Sequence, residues 1–387
     1  MEWREFQNSK AFISQSTVEN VLRDFGVTGS VTNVQNLYLN QVFLIKVTSV
    51  DINDSMKMEK FVLKVLSSTF TKYADEIRAA TGLMEMTYQC GLNEQSPLTN
   101  QQGDFITLQP LQKMKHSKLW AAPCSKVASI VPYPINYKVC CEGSAKDTSK
   151  DFITEDPAFF VIRVFSYSEG QPLSNILMES DGALFHFGEK LAKIHLALKD
   201  QTENKKLMEQ RAKTYIWSLD QMPRIRDILH TVDDPLKRQL IETVIEDFKT
   251  NVLPIKEDLP KGFIHGDCTT RNVLLKTDSN SNWINSFVLL DFDDAVFSCL
   301  VYDVATAVTS ILEEELTSRW SKVALFLKGY ETQRSLTSKE KNVLYYCVTA
   351  RIAQVLVGDQ FMASSSDDHL PYILQSAGWK LLDEIMQ

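Results

Sequence analysis

Nothing in this 387-residue chain approaches the roughly 18 consecutive apolar residues that a membrane span requires. Its start, Met1-Glu2-Trp3-Arg4-Glu5-Phe6, is charged and lacks the apolar stretch of a secretory signal. Cysteine is scarce: seven residues, an odd number without metal-type spacing, so reduced thiols in a cytoplasmic protein are expected. Basic residues are the minority charge, 41 against 49 acidic ones. The formal net charge of −8 argues against a broad basic field for nucleic acid or an anionic membrane. No internal repeat is visible. Glycine is absent between Gly29 and Gly82, so no glycine-rich phosphate loop exists in that stretch. The apolar content of 44% supports a sizeable core, and the length suggests two domains.

Two short motifs carry the chemistry. The first is His265-Gly266-Asp267-Cys268-Thr269-Thr270-Arg271-Asn272, and the second is Asp291-Phe292-Asp293-Asp294. Each is bounded by apolar strand-like runs, Gly262 to Ile264, Val273 to Leu275 and Ser286 to Leu290. An Asp, an Asn five residues later and a second Asp after an apolar strand suit phosphoryl transfer. Asp267 can accept the proton of a substrate hydroxyl. Asn272 offers an amide oxygen, and Asp291 a carboxylate, to Mg²⁺ bridging nucleotide phosphates. Protein kinases distribute the same three roles over their catalytic loop and DFG segment.

Along the chain, Ser16 to Phe25 reads as an amphipathic helix, with Ser16 and Glu19 spaced as a capping box. Val42–Val47, Phe61–Leu66, Phe105–Leu108 and Phe159–Phe165 read as strands, with a polar turn at Asp51 to Asp54 and a helix at Ala74–Cys90. Lys113 to Thr154 reads as an insertion or long loop. After Gly170-Gln171-Pro172 the pattern becomes mostly helical: Asp181–Leu198, then Tyr302–Leu316, Lys339–Val357 and Leu374–Met386. The expected architecture is α+β and bilobal, protein-kinase-like. It has a small mixed β-sheet lobe (1–165, nucleotide-binding) and a larger, mainly helical lobe (166–387, catalytic and acceptor-binding).

Lys64 lies mid-strand among apolar residues and is the candidate to hold the α- and β-phosphates. Glu76 and Glu85 on the following helix are its possible partners. The turn Tyr38-Leu39-Asn40-Gln41 must cover the phosphates without glycine, so Asn40 and Gln41 are further nucleotide-site candidates. Only twelve positions separate Asp291 from Asp303, where Val301 to Ala305 already reads as a helix start. That leaves no room for a protein-kinase activation segment and points to a small hydroxyl-bearing acceptor.

These motifs, with Phe187 to His195 and the Asp303 helix start, resemble the aminoglycoside phosphotransferase and choline kinase superfamily. Within it, similar stretches such as Asn40-Gln41-Val42-Phe43, Tyr215 to Leu219, Arg351 to Leu356 and Ala377 to Lys380 resemble the hydroxylysine kinase branch. The resemblance implies transfer of a phosphoryl group from GTP or ATP, with Mg²⁺, to the hydroxyl of 5-hydroxy-L-lysine or another amino-acid or amino-alcohol acceptor. It makes Asp267 the base, Asn272 and Asp291 the metal ligands, and Lys64 the phosphate anchor. Two departures stand out: Arg78 occupies the position of the family's helix glutamate, and Asp293 replaces a small residue. Asp294 matches an acidic family position. For a dicationic amino acid, carboxylates such as Asp294 would meet ammonium groups and Arg351 the carboxylate, with Trp217 as a wall. Bland roles are expected elsewhere. His195 is read as a buried, hydrogen-bonded histidine, His265 as an orienting residue, Glu313-Glu314-Glu315 as a solvated helix face, and Ser364 to Asp368 as a loop.

Overall fold

The computed structural model describes residues 11–12, 15–36, 40–50, 60–114, 153–176, 181–276, 286–314, 318–364 and 375–387. The N-terminal part contains β1 (Ala11–Phe12), α1 (Gln15–Asp24), β2 (Val27–Asn36), β3 (Asn40–Val50), β4 (Lys60–Leu66), α2 (Ala74–Gln89), β5 (Thr107–Met114) and β6 (Ile153–Ser166). The strands form one sheet in the order β1-β5-β6-β4-β3-β2, and every pairing is antiparallel. α1 starts at Gln15, one residue before the expected cap Ser16, and buries Val18, Val21 and Leu22, with Phe25 just beyond it. That apolar face packs on Phe43, Ile45, Phe61, Leu63, Val65 and Phe160 of the sheet. Alternation along β4 then sends Val62, Lys64 and Leu66 to the opposite face, where Val62 and Leu66 join the second, larger core. Lys64 is thereby aimed at the junction of the two lobes. β5 and β6 enter the stretch expected as an insertion; its remainder, the Asp51–Asp54 turn, and Tyr38 and Leu39 lie outside the described residues.

The larger part is mainly helical. It comprises β7 (Gln171–Pro172), α3 (Leu173–Ile176), α4 (Asp181–Ala197), α5 (Lys205–Ala212), a 3₁₀ segment (Leu219–Thr231), α6 (Pro235–Asn251), β8 (Lys261–Ile264), β9 (Val273–Leu275), β10 (Val288–Leu289), β11 (Val296–Cys299), α7 (Leu300–Glu314), α8 (Arg319–Glu331), α9 (Ser338–Ser364) and α10 (Gln375–Met386). Asp234 caps α6 by accepting from the Leu236 and Lys237 amides, with Pro235 in the first turn. α4 and α8 cross so closely that a Cβ on Gly188 would strike the Phe326 carbonyl and one on Gly329 the Phe185 carbonyl. The terminal helices follow the expected α7, α9 and α10; α8 is an addition that the periodicity did not announce. Among the described residues, no helix is long and apolar enough to cross a membrane.

Two small antiparallel ribbons, β10-β9-β7 and β11-β8, interrupt the helices. The loop 265–272 joins β8 to β9, and Asp291 follows β10 after Leu290. Both motifs therefore emerge where the helical part meets the sheet.

Candidate active site

The loop 265–272 is fastened from below by one fully buried carboxylate. Asp303 accepts from the His265 amide at 2.7 Å and the Gly266 amide at 2.8 Å, and His195 Nε2 lies 3.1 Å from it. Burial alone would raise the Asp303 carboxyl, but the bonds from His195 and the His265 amide hold it below the usual carboxylate range. His195 is the buried, hydrogen-bonded histidine expected, with Nδ1 at 2.8 Å from the Tyr330 hydroxyl. His265 orients the loop: Nε2 bonds the Leu290 carbonyl at 2.8 Å, and Nδ1 accepts from the Asp267 amide at 3.2 Å. Gly266 is required at its position, because φ is +81° and a Cβ would collide with the Asp294 carbonyl.

Asp267, Asn272 and Asp291 are brought together. Asn272 Nδ2 donates to Asp267 Oδ2 at 2.8 Å and to the Asp267 carbonyl at 2.9 Å. The Leu290 amide donates to the Asn272 carbonyl at 2.8 Å, tying the two motifs together. Asp267 Oδ1 lies 3.1 Å from Arg351 Nη2, and a third of its side chain stays exposed. Asp291 has φ +61° and ψ +66°, a left-handed conformation costing a non-glycine residue about 1–2 kcal/mol. It directs the carboxylate to Lys64 Nζ at 2.7 Å. Burial and the neighbouring Asp293 push the Asp291 carboxyl up, while Lys64 draws it down.

Lys64 is not seated on a helix glutamate. Its ion-pair partners are Asp291 at 2.7 Å and Asp293 at 2.6 Å. Burial would lower its pKa; those carboxylates outweigh burial and raise it above the ordinary lysine value. Glu76 therefore does not take the place expected for it, and Glu85 bonds Gln89 instead. Alternation on β4 gives the reason, since it turns Lys64 towards the 291–293 turn. Arg78 is bound by Asp104 at 2.9 Å and Asp75 at 2.5 Å. Asn40 and Gln41 open β3, opposite Leu66 and Val65 of β4, within one strand of Lys64.

A cavity of about 240 Å³ opens onto Asp267, and its lining includes Trp217, Arg351, Asp294, Glu313 and Asp359. Arg351 is engaged by more than Asp267: Nη1 donates to the Trp217 carbonyl at 3.1 Å and to Gln354 at 3.0 Å. The Tyr215 hydroxyl donates to Asp294.

Residues 128–335, more than half the chain, match the phosphotransferase enzyme family. The chain belongs to that family. This phosphotransferase is 24% identical to hydroxylysine kinase of Xenopus laevis over 98% of its own length and 91% of that protein's. It is 22% identical to hydroxylysine kinase of Danio rerio, over 95% and 89%. Among solved structures, an amicoumacin kinase in complex with AMP-PNP and Ca²⁺ superposes with a TM-score of 0.62 at 12% identity. That match covers 97% of this chain and 93% of the other, and establishes the shared bilobal α+β fold. The enzyme is a small-molecule kinase of the alcohol-acceptor class.

Sequence reasoning missed several residues of the phosphotransferase cleft. Glu313, read as solvated, lines the cavity instead, because α7 packs against α9 with Glu313 turned inward. Thr306, Ser310 and Glu313 follow Asp303 at helical spacing, so the face was readable once Asp303 was placed. Asp359 follows Arg351 and Val355 at intervals of four on α9, the same signal. Burial pushes Glu313 up to about 7 and Asp359 up to about 6. Burial and the Asp267 charge push Asp294 up to about 6. Arg163 was hidden inside an apolar strand.

Proposed function

We propose that this kinase transfers the γ-phosphate of GTP or ATP to the hydroxyl of an amino-bearing small molecule, with 5-hydroxy-L-lysine as the leading acceptor. The observation that carries this reading is the cavity on Asp267, where four carboxylates face two guanidiniums, those of Arg271 and Arg351. Asp294, Glu313 and Asp359 are raised by burial and by neighbouring carboxylates, a condition that a bound cation relieves. Among the described residues the lining carries one aromatic side chain, Trp217, which favours recognition by charge over an aromatic cage. Relatives named hydroxylysine kinase that match nearly end to end support the same acceptor.

In this reading residues 1–165 hold the nucleotide and 166–387 the acceptor. Asp267 accepts the hydroxyl proton and aligns the oxygen with the γ-phosphate. Arg351 has five N–H donors, three of them engaged within the protein, and offers the rest to the acceptor's carboxylate. Asp294, Glu313 and Asp359 meet its ammonium groups, and Trp217 forms a wall. Lys64 holds the α- and β-phosphates, and Asn40 and Gln41 lie at the strand turn above them. The donors near Asp267 fit Mg²⁺: Asn272 uses its amide N–H groups on Asp267 and keeps its oxygen, and Asp291 is a hard carboxylate. Among the described residues no group of three or more His, Cys, Asp or Glu could hold a metal alone. Mg²⁺ commonly takes few protein ligands and completes its shell with phosphates and water. When bound it would neutralise charge on the transferring phosphates. Cys90, Cys268, Cys299 and Cys347 are free, which suits the reducing cytoplasm assigned here.

The test is nucleotide consumption with Mg²⁺, GTP against ATP, over 5-hydroxylysine, lysine, choline, ethanolamine and homoserine. Turnover with hydroxylysine and none with lysine is expected; turnover with another alcohol alone would replace the acceptor. The same assay reads pH. Asp294, Glu313 and Asp359 lose their charge as pH falls through about 6, about 7 and about 6. KM for a cationic acceptor should therefore rise at least roughly tenfold from pH 8 to 5.5, about 1.4 kcal/mol for a single lost contact and more where several are lost. The nucleotide KM should stay level. An acceptor KM that is flat, or lower in acid, would remove these carboxylates from recognition.

A further inference from the structure

Lys64 and Arg163 are directly paired across β4 and β6. Like charges opposite one another in a sheet repel, and these two are deeply buried, their side chains 8% and 2% exposed. One carboxylate reconciles them. Asp293 Oδ2 lies 2.6 Å from Lys64 Nζ as an ion pair, and Oδ1 accepts a hydrogen bond from Arg163 Nη2 at 2.5 Å. Arg163 is itself fixed, donating to Thr81 Oγ1 at 3.2 Å and lying over the Phe165 ring. Arg211 donates to the Asp293 carbonyl, so the backbone of that turn is held as well.

In protein kinases the strand lysine is oriented by a glutamate on the following helix. Here α2 supplies none to Lys64. Arg78 turns to Asp104 and Asp75, on the wall of a separate hollow of about 640 Å³ that Lys64 does not line. Asp291 touches Lys64 too, but it is the carboxylate assigned to the metal. Asp293 has a second buried cation to keep it in place when Asp291 is engaged elsewhere.

We propose that Asp293, clamped by Arg163, is the positioning residue that holds Lys64 ready for the nucleotide phosphates, a task performed from the neighbouring helix in protein kinases. The inference rests on Lys64 as the phosphate-holding lysine, and the experiment separates the two. Nucleotide affinity is measured by equilibrium titration with GTP and ATP, with and without Mg²⁺, for Lys64→Met, Asp293→Asn and the double variant. Asp293→Asn should weaken nucleotide binding about tenfold when Lys64 is present and less than about twofold when it is Met, the coupling of a direct charge pair. The loss should be alike with and without Mg²⁺, and the Mg²⁺ concentration for half-maximal activity should not move.

Equal losses in both backgrounds would overturn the inference. So would a shifted Mg²⁺ requirement with metal-free affinity unchanged, which would make Asp293 a metal ligand. If Lys64→Met leaves nucleotide affinity intact, the reading of Lys64 itself fails. Thermal unfolding accompanies each variant. Should Asp293→Asn fail to fold with Arg163 unpaired, Asp293→Asn with Arg163→Met removes the buried charge with its partner and must show the same dependence on Lys64.

Discussion

Replacing Asp267 by alanine is expected to lower kcat by roughly 10²–10⁴-fold while the nucleotide KM changes little. The carboxylate is held at both oxygens, Oδ1 by Arg351 and Oδ2 by Asn272, so its direction is set before an acceptor arrives. The variant should fold, because Arg351 keeps the Trp217 carbonyl and Gln354, and the loop keeps its bonds to Asp303. Steady-state kinetics with a folding control would check it. A loss under about tenfold would mean that alignment and proton acceptance lie with another group.

Asp303→Ala should be the most damaging change outside the reacting groups. It leaves the amides of His265 and Gly266, and His195, without their buried acceptor. Each orphaned group costs about 1–3 kcal/mol, so the loss should be on the order of 3–5 kcal/mol. For a chain of this size that is a fall in Tm of roughly 5 °C. Activity should fall with it, since the loop carrying Asp267 would lose the bonds that its His265 and Gly266 amides make to Asp303. An unchanged melting temperature in differential scanning calorimetry would show that the loop is fastened elsewhere.

Much of the fold could be read because its signals are local. Phe61–Leu66 was placed within one residue of β4, and the bracketing strands located the loop 265–272. α6 has a readable start in Asp234-Pro235, yet only a general helical tendency was drawn from that region. α8 offers weaker cues, since its contact with α4 depends on two glycines far apart in sequence. For a similar reason neither of the possible partners on the following helix, Glu76 or Glu85, pairs with Lys64. Which carboxylate reaches a strand lysine depends on β4 meeting the turn after β10, some 227 residues away. Within the run of three glutamates Glu314 is exposed as expected, but Glu313 reads as solvated until the packing of α7 on α9 is known. Lys64, Asp267, Asn272 and Asp291 could be singled out by type and spacing, whereas Arg163, Glu313 and Asp359 acquire meaning only from their neighbours.

The charges of the cleft divide it into unlike halves. Beside Lys64, two cations and two carboxylates cancel at contact distance, all but the partly exposed Asp291 largely away from solvent. Around Asp267, carboxylates outnumber guanidiniums and face an open cavity. Dissolved salt acts on these differently, because buried pairs are little screened while a field reaching into solvent decays over about 8–10 Å at physiological ionic strength. In the function proposed above, ionic strength therefore governs how readily a cationic acceptor is drawn in, and leaves Lys64 where it is.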